Sequence, residues 1–352
     1  MTRICVLLAV VALAALPSAA AAAPPWSPPL TVPNALGSST PVVLTPSGAA
    51  ALLAPVSRTA AGSPPQIPSE LVPLTPDGQL GAPQPVAVAA GVLATYAKGH
   101  IAVAGSTLHN GTIDDRSHVA VALGTPGSLG LARGLRGSTG QRVFGLAGNL
   151  RGDVAVLTGN ANSVRTLYLR RAGSTSFRVA LRISVSNRAR DATVALGSRG
   201  DVLVVWEDNH HIFARHLGRT GHAGAIHRIG DGVQSDLQAA VNDSGRLEVA
   251  WKTQRVNEGE SNTPAIVRYA TAAPGHGFGP QRTVETVGAG GTGRFVGAPG
   301  VRLVPQFHGR TLLAWTGFEN GHFVVRAADV VNGHRGTAQT LSPTSDDAVL
   351  GD

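Results

Sequence analysis

Acidic residues gather in four short stretches of this chain: Asp114 and Asp115, Glu207 and Asp208, Glu258 and Glu260, and finally Glu319. These seven are a third of the 21 Asp and Glu residues present. His109, His210, Asn262 and Asn320 lie beside them, and Asn160 and Asn162 supply a fifth polar stretch. Brought together, carboxylates and amides would hold a hard divalent cation or hydrogen-bond a sugar. A carboxylate pair about 5 to 9 Å apart would also support glycoside hydrolysis. The competing reading is ordinary: loops are solvated, and solvated loops are polar.

Other chemistries find less support. There is no Gly-x-Ser-x-Gly nucleophile elbow and no His-Glu-x-x-His zinc motif. In the densest histidine cluster, Asp208-Asn209-His210-His211, adjacent imidazoles on a strand point to opposite faces and make a poor metal site. Gly288-Ala289-Gly290-Gly291-Thr292-Gly293 matches the dinucleotide fingerprint, but Arg294-Phe295-Val296-Gly297-Ala298-Pro299-Gly300 cannot form the helix that must follow. Arg-Gly-Asp occurs at Arg151-Gly152-Asp153 and Arg199-Gly200-Asp201, where a hairpin glycine explains it without a receptor. None of these patterns requires a cofactor. A divalent cation enters only as one ligand that the acidic loops would accept.

What must position the acidic stretches is a repeat. Six times a short apolar strand runs into a turn ending in Gly and a second apolar strand follows, at Gly48, Gly99, Gly152, Gly200, Gly245 and Gly309. The spacings run from 45 to 64 residues, in the range of propeller repeats. Trp206, Trp251 and Trp315 each fall six residues after the repeat Gly, so three of the four Trp share one position. Val202 and Val204, like Leu247 and Val249, share the strand face of that Trp, which predicts a core role for all three indoles. A third strand ending in Arg is read at Arg170, Arg215, Arg268 and Arg326. Fourth strands are read at Val179 to Ile183, Ala225 to Ile229, Gln281 to Val284 and Thr337 to Leu341.

Four short strands make an antiparallel sheet that cannot bury both faces alone, and radial stacking gives a propeller. The expected fold is therefore an all-β propeller of six four-stranded blades, filling residues 24–352 as one domain. Residues 54–73, rich in Pro, Ala and Ser, are expected to form a poorly ordered loop. Ring closure has two candidates, the N-terminal stretch from Trp26 to Val32 and the C-terminal copy near Thr340. In such a ring the acidic loops surround the central channel, opposite the glycine turns that carry Lys98, Arg151, Arg199, Arg246 and Arg310. A negative channel mouth is expected.

The start of the chain reads as a signal peptide over residues 1–23. Arg3 precedes an apolar run from Ile4 to Leu16, too short to span a bilayer, and Ala19 to Ala23 form a small-residue cleavage region. Its removal takes away the single Cys and the single Met, and with them disulfides and thiolate chemistry. The net charge of +8 comes almost wholly from arginine, since Lys98 and Lys252 are the only lysines. The arginines are scattered and aromatics make up 4% of the chain, which argues against nucleic acid as a partner.

On its Gly-plus-six Trp pattern, the chain resembles the secreted β-propeller repeat proteins of high-GC bacteria. The resemblance covers residues 26–343, most clearly 144–343, and is one of architecture. The Ser-x-Asp-x-Gly-x-x-Trp boxes of sialidases are absent. The function expected is non-catalytic: an extracellular binding or scaffold propeller, a monomer without a membrane span, that recognises a glycan, a cation or an extracellular protein at the channel face. The candidate rim comprises Asp114, Asp115, Glu207, Asp208, His210, Glu258, Glu260, Glu319 and Asn320. The alternative is a carbohydrate-active enzyme that uses two of those carboxylates.

Overall fold

The structure, a computed structural model, describes residues 42–44, 50–55, 69–74, 79–109, 112–160, 164–186, 189, 191–232, 236–254, 265–287 and 300–342. Among them every regular element is a β-strand, and no helix is long and apolar enough to cross a membrane. The strands form antiparallel sheets in chain order. The first sheet holds β1 (Val42–Leu44), β2 (Ala50–Pro55), β3 (Ser69–Leu74) and β4 (Gln84–Val86). The second holds β5 (Ala89–Tyr96), β6 (His100–Ser106) and β7 (Val119–Thr125), with β8 (Ser128–Leu129) and β9 (Arg133–Gly134) sharing the far edge of β7. The third holds β10 (Arg142–Gly148), β11 (Val154–Gly159), β12 (Val164–Arg170) and β13 (Arg178–Ser184). The fourth holds β14 (Ala192–Leu196), β15 (Val202–Asp208), β16 (His211–Leu217) and β17 (Ala223–Asp231). The fifth holds β18 (Leu237–Val241), β19 (Leu247–Gln254), β20 (Ala265–Ala272) and β21 (Arg282–Val287). The sixth holds β22 (Val301–Pro305), β23 (Arg310–Glu319) and β24 (His322–Val331), with β25 (His334–Arg335) and β26 (Gln339–Thr340) both on β24.

The repeat glycines sit where the chain must turn back. Gly152 and Gly200 have φ of 99° and 92°, a conformation that costs an L side chain free energy and glycine little. That accounts for both Arg-Gly-Asp triplets. Asp153 is buried, accepting from Asn149 Nδ2 at 2.9 Å and from the Ala172 amide at 2.8 Å, so it is not presented to a partner.

The second strands are buried on both faces. Val202, Val204 and Trp206 pack on the third sheet with Leu157 and Leu181, while Leu203 and Val205 pack on the fifth with Val249 and Trp251. Trp315 and Leu313 likewise meet Val267 and Tyr269 of the fifth sheet. The fourth and fifth sheets thus use both neighbours, as their uninterrupted apolar runs require. Trp251 is fully buried, and its Nε1 donates to the Asp231 carbonyl at 3.0 Å. A Cβ on Gly230 would stand 2.4 Å from the Trp251 ring, so that neighbour must be glycine.

The inner strands lie side by side, starting at one end and turning at the other. At the glycine end, Thr95, Gly148, Leu196, Val241 and Pro305, near the ends of β5, β10, β14, β18 and β22, line one cavity of about 340 Å³. Asparagines tie adjacent turns there: Asn149 Nδ2 donates to the Gly197 carbonyl at 2.9 Å and Asn242 Nδ2 to the Gly309 carbonyl at 3.1 Å.

Some expectations change. Of residues 54–73, expected to form a poorly ordered loop, 54–55 belong to β2 and 69–73 to β3, where buried Leu71 and Val72 anchor the strand; residues 56–68 lie outside the described ones. Arg170 does end its strand, but Arg215, Arg268 and Arg326 sit inside theirs. Arg268 and Arg326 stand directly across from Trp251 and Trp315, and pairing continues past them. Gln339–Thr340 pairs with β24 of its own sheet. The Trp26 to Val32 segment, the signal-peptide region and the glycines 288–293 lie outside the described residues.

Replacing Trp251 with Ala should cost about 3 to 5 kcal/mol, the range for a buried aromatic. Chemical denaturation should show a lower midpoint, and an unchanged midpoint would mean the indole does not join the two sheets.

Candidate functional site

The acidic loops expected to form the rim turn out to differ from one another. Asp114 holds its own loop: His109 Nδ1 lies 2.9 Å from Oδ2, and the amides of Arg116 and Ser117 donate to Oδ1 at 2.9 and 3.0 Å. Desolvation works against ionisation, yet His109 and these amides hold its carboxyl below the ordinary range. Asp115 is exposed in the turn that follows. Glu319 accepts from Arg326 at 2.9 Å, and the other Arg326 nitrogen reaches Glu285 at 2.9 Å. Trp315 Nε1 donates to the same Glu285 at 2.6 Å, so Glu319 belongs to a staple between the fifth and sixth sheets. Arg326 accordingly keeps the Glu319 carboxyl below its usual range. His210 and Asn320 are exposed turn residues with φ of 66° and 51°. Glu258 and Glu260 lie outside the described residues.

Glu207 and Asp208 are different. Glu207 is 1% exposed, and its amide donates to the Asp191 carbonyl at 2.9 Å. Asp208 accepts from the hydroxyl and, at 3.1 Å, the amide of Ser186. Glu207 lies within electrostatic reach of Asp191, and Asp191 of Asp236, a pair absent from the expected rim, each immediately before an innermost strand. Asp191 Oδ2 accepts the Leu237 amide of the next inner strand at 3.2 Å. One sheet further on, Asp236 Oδ2 accepts the Val301 amide at 2.9 Å. A signal was present: both aspartates fall nine residues before a repeat glycine, in two of the three repeats that carry Trp at plus six.

Cations are interleaved with these carboxylates. Arg302 reaches Asp236 at 3.3 Å. Lys252, the plus-seven residue of its repeat as Glu207 is of its own, is 2% exposed, and burial pushes its amine down to about 8 against the pull of Asp236. Arg165 is fully buried, donates to the carbonyls of Asn160 and Ala189 at 2.8 and 3.2 Å, and feels Asp208 and Asp191 electrostatically. Its guanidinium lies 4.0 Å from the Phe144 ring centre. The expected negative mouth is therefore mixed in sign, because buried carboxylates at one end of the inner strands draw arginine and lysine to them. Among the described residues, no group of three or more His, Cys, Asp or Glu is placed to hold a metal ion.

Asp191 has the most altered chemistry. Burial first, then the charges of Asp236 and Glu207, push its carboxyl up to about 7, against the amides of Leu237 and Ala192 that favour ionisation. It therefore holds a proton into the neutral range, while Asp236 has Arg302 beside it.

No family model matches the sequence, and no curated relative does. Solved structures do resemble it. One is prolyl oligopeptidase B from Galerina marginata bound to a 25mer macrocyclization substrate, with a TM-score of 0.50 and 9% identity over 86% of this chain and 42% of that one. The NanB sialidase from Streptococcus pneumoniae gives a TM-score of 0.49 and 8% identity over 80% of this chain and 65% of that one. The SapL1 lectin in complex with alpha methyl fucoside gives 0.46 and 12% over 89% and 96%. This chain thus spans less than half of the oligopeptidase and just under two thirds of the sialidase. At 9% identity the likeness to the oligopeptidase is one of fold alone.

The raised Asp191 carboxyl sets a pH dependence. The folded protein binds this proton more tightly than the unfolded chain, where aspartate titrates near its ordinary value of about 4. Its stabilising contribution is then lost as pH rises from about 4 toward 7. Over that window the melting temperature of the Asp191→Asn variant should fall less than that of the parent. Parallel curves would show that the carboxyl titrates alike in both states.

Proposed function

We propose that this chain is an exported, non-catalytic β-propeller of six blades that binds a glycan at the mouth where its inner strands begin. The observation that carries this reading is the group of part-buried Asp191, Asp236 and Arg302 at that mouth, held among the buried charges of Glu207, Arg165 and Lys252. Sugar hydroxyls donate and accept, so they suit a surface offering both carboxylate oxygens and N–H groups. A bare divalent cation would favour carboxylates without competing cations. The sheets in chain order and the axial cavity lined by five inner strands support the propeller. The apolar run from Ile4 to Leu16 supports export.

Within this proposal Asp208 belongs to the outer rim. Asp114 and Glu319 serve their own loops.

One observation favours a second reading. A carboxyl at about 7 beside two other acidic groups is the arrangement a glycosidase acid uses. The two readings separate in one experiment with an array of polysaccharides and chromogenic glycosides. The binding reading expects retention of a glycan without turnover, and at least about tenfold weaker retention by the Asp191→Asn, Asp236→Asn double variant, as lost charged hydrogen bonds give. Equal binding by a folded double variant would place the site elsewhere. Turnover abolished by Asp191→Asn alone would establish the enzyme.

A further inference from the structure

Two clefts between neighbouring sheets share a plan that the mouth does not. The first, of about 470 Å³, lies between the fourth and fifth sheets and is lined by Arg199, His216, His227, His276 and Phe278. The second, of about 590 Å³, lies between the second and third sheets and is lined by Arg133, Arg136, Arg170 and Phe177. In each, the phenylalanine comes from the connection between the third and fourth strands of the later sheet. The basic groups come largely from the outer strands of the earlier one. Both clefts lie on the side of the glycine turns, away from the acidic mouth.

Their basic groups are largely unclaimed. Among the described residues, the guanidinium groups of Arg133, Arg136 and Arg199 and the imidazoles of His227 and His276 enter no hydrogen bond or ion pair. Arg170 donates to the Gly152 carbonyl at 3.3 Å. Among the described residues, Asp201 is the one carboxylate lining the first cleft, 3.6 Å from His216 Nε2, and none lines the second. Glycines keep the first cleft open: a Cβ on Gly275 would meet nothing within 4 Å, and one on Gly277 would lie 3.6 Å from His227. Unneutralised N–H donors around a concave site with an apolar floor select an oxyanion.

We propose that both clefts bind oxyanions, the sulfate, phosphate or carboxylate groups of an acidic ligand. The two differ in how they are charged. The arginine cleft is cationic at every physiological pH. The histidine cleft gains charge on acidification, since imidazole changes its charge between about pH 5 and 8. The groups facing it are Arg199 and Asp201 from the β14–β15 turn, His216 from β16, His227 from β17 and His276 from the connection after β20. Arg215 on β16 is occupied, its Nε donating to the Gly224 carbonyl at 2.9 Å. This inference concerns a different face from the proposed glycan mouth and stands apart from it.

Sulfate is the suitable probe because it stays divalent across the range. Calorimetric titration of the purified protein should find one class of site near pH 8 and a second near pH 5.5. The Arg199→Gln, His227→Gln, His276→Gln variant should weaken the acid-dependent class by about tenfold or more, and Arg133→Gln with Arg136→Gln should weaken the other at both pH values. Lys98→Gln, an exposed cation in another turn, should change neither. Dextran sulfate distinguishes the source of the group. Affinity more than about tenfold above that of free sulfate means a polymer engaging both clefts, and equal affinity per sulfate means a small oxyanion. The proposal is overturned if neither probe binds at either pH. It is equally overturned if the cleft variants bind as the parent does, or if Lys98→Gln loses as much as they do.

Discussion

A sheet of four short strands with apolar residues on both faces cannot be stable alone, and everything else in this molecule follows from that. The run from Val202 to Trp206 is buried residue by residue, alternate side chains entering the interface before and the interface after. Such a strand needs two neighbours, and chain order supplies them. Close packing then fixes small residues at particular places. Gly230 exists where the Trp251 ring passes, and any Cβ there would collide with it.

Polar groups set the register that apolar packing leaves loose. At the glycine end, Asn149 and Asn242 each sit three residues before a repeat glycine and donate to the next sheet's turn. At the other end, Asp191 and Asp236 each accept the first amide of the next inner strand. The hydrogen bonds that align the sheets therefore also build the mouth. Scaffold and proposed site share residues there, so variants of the two aspartates test binding only in a protein shown to remain folded.

The sequence made the repeat legible because glycine and tryptophan each answer to a single constraint. A positive φ admits few residues other than glycine, and a large void between sheets favours an indole. The wrong ends of the third strands have an equally plain cause: an arginine opposite Trp251 or Trp315 looks like a terminus in one dimension but is a cross-strand neighbour in two. β3 escaped notice because prolines on either side of it outweigh a short Leu-Val core in composition. The sequence names Asp114 and Glu319, but not what holds them. That Asp114 spends its lone pairs on its own loop, or that Glu319 faces Arg326, depends on side-chain directions that spacing cannot give. Asp191 and Asp236 were visible at minus nine, but a search confined to the loops after second strands passes over residues that precede first strands.

The plus-six and plus-seven positions of the repeat divide the work of the second strand. At plus six stand Gly105, Thr158, Trp206, Trp251 and Trp315, graded in size as the local interface demands. At plus seven stand Ser106, Gly159, Glu207, Lys252 and Thr316, all buried, and polar in four of the five. Packing alone would choose an apolar residue at a buried strand position. A buried carboxylate or ammonium has a desolvation cost of several kcal/mol that its partners only partly return. Selection for stability would not keep Glu207 and Lys252 at equivalent points of neighbouring sheets, next to Asp191 and Asp236. Retaining them accords with the glycan-binding mouth proposed above, where stability would be given up for recognition.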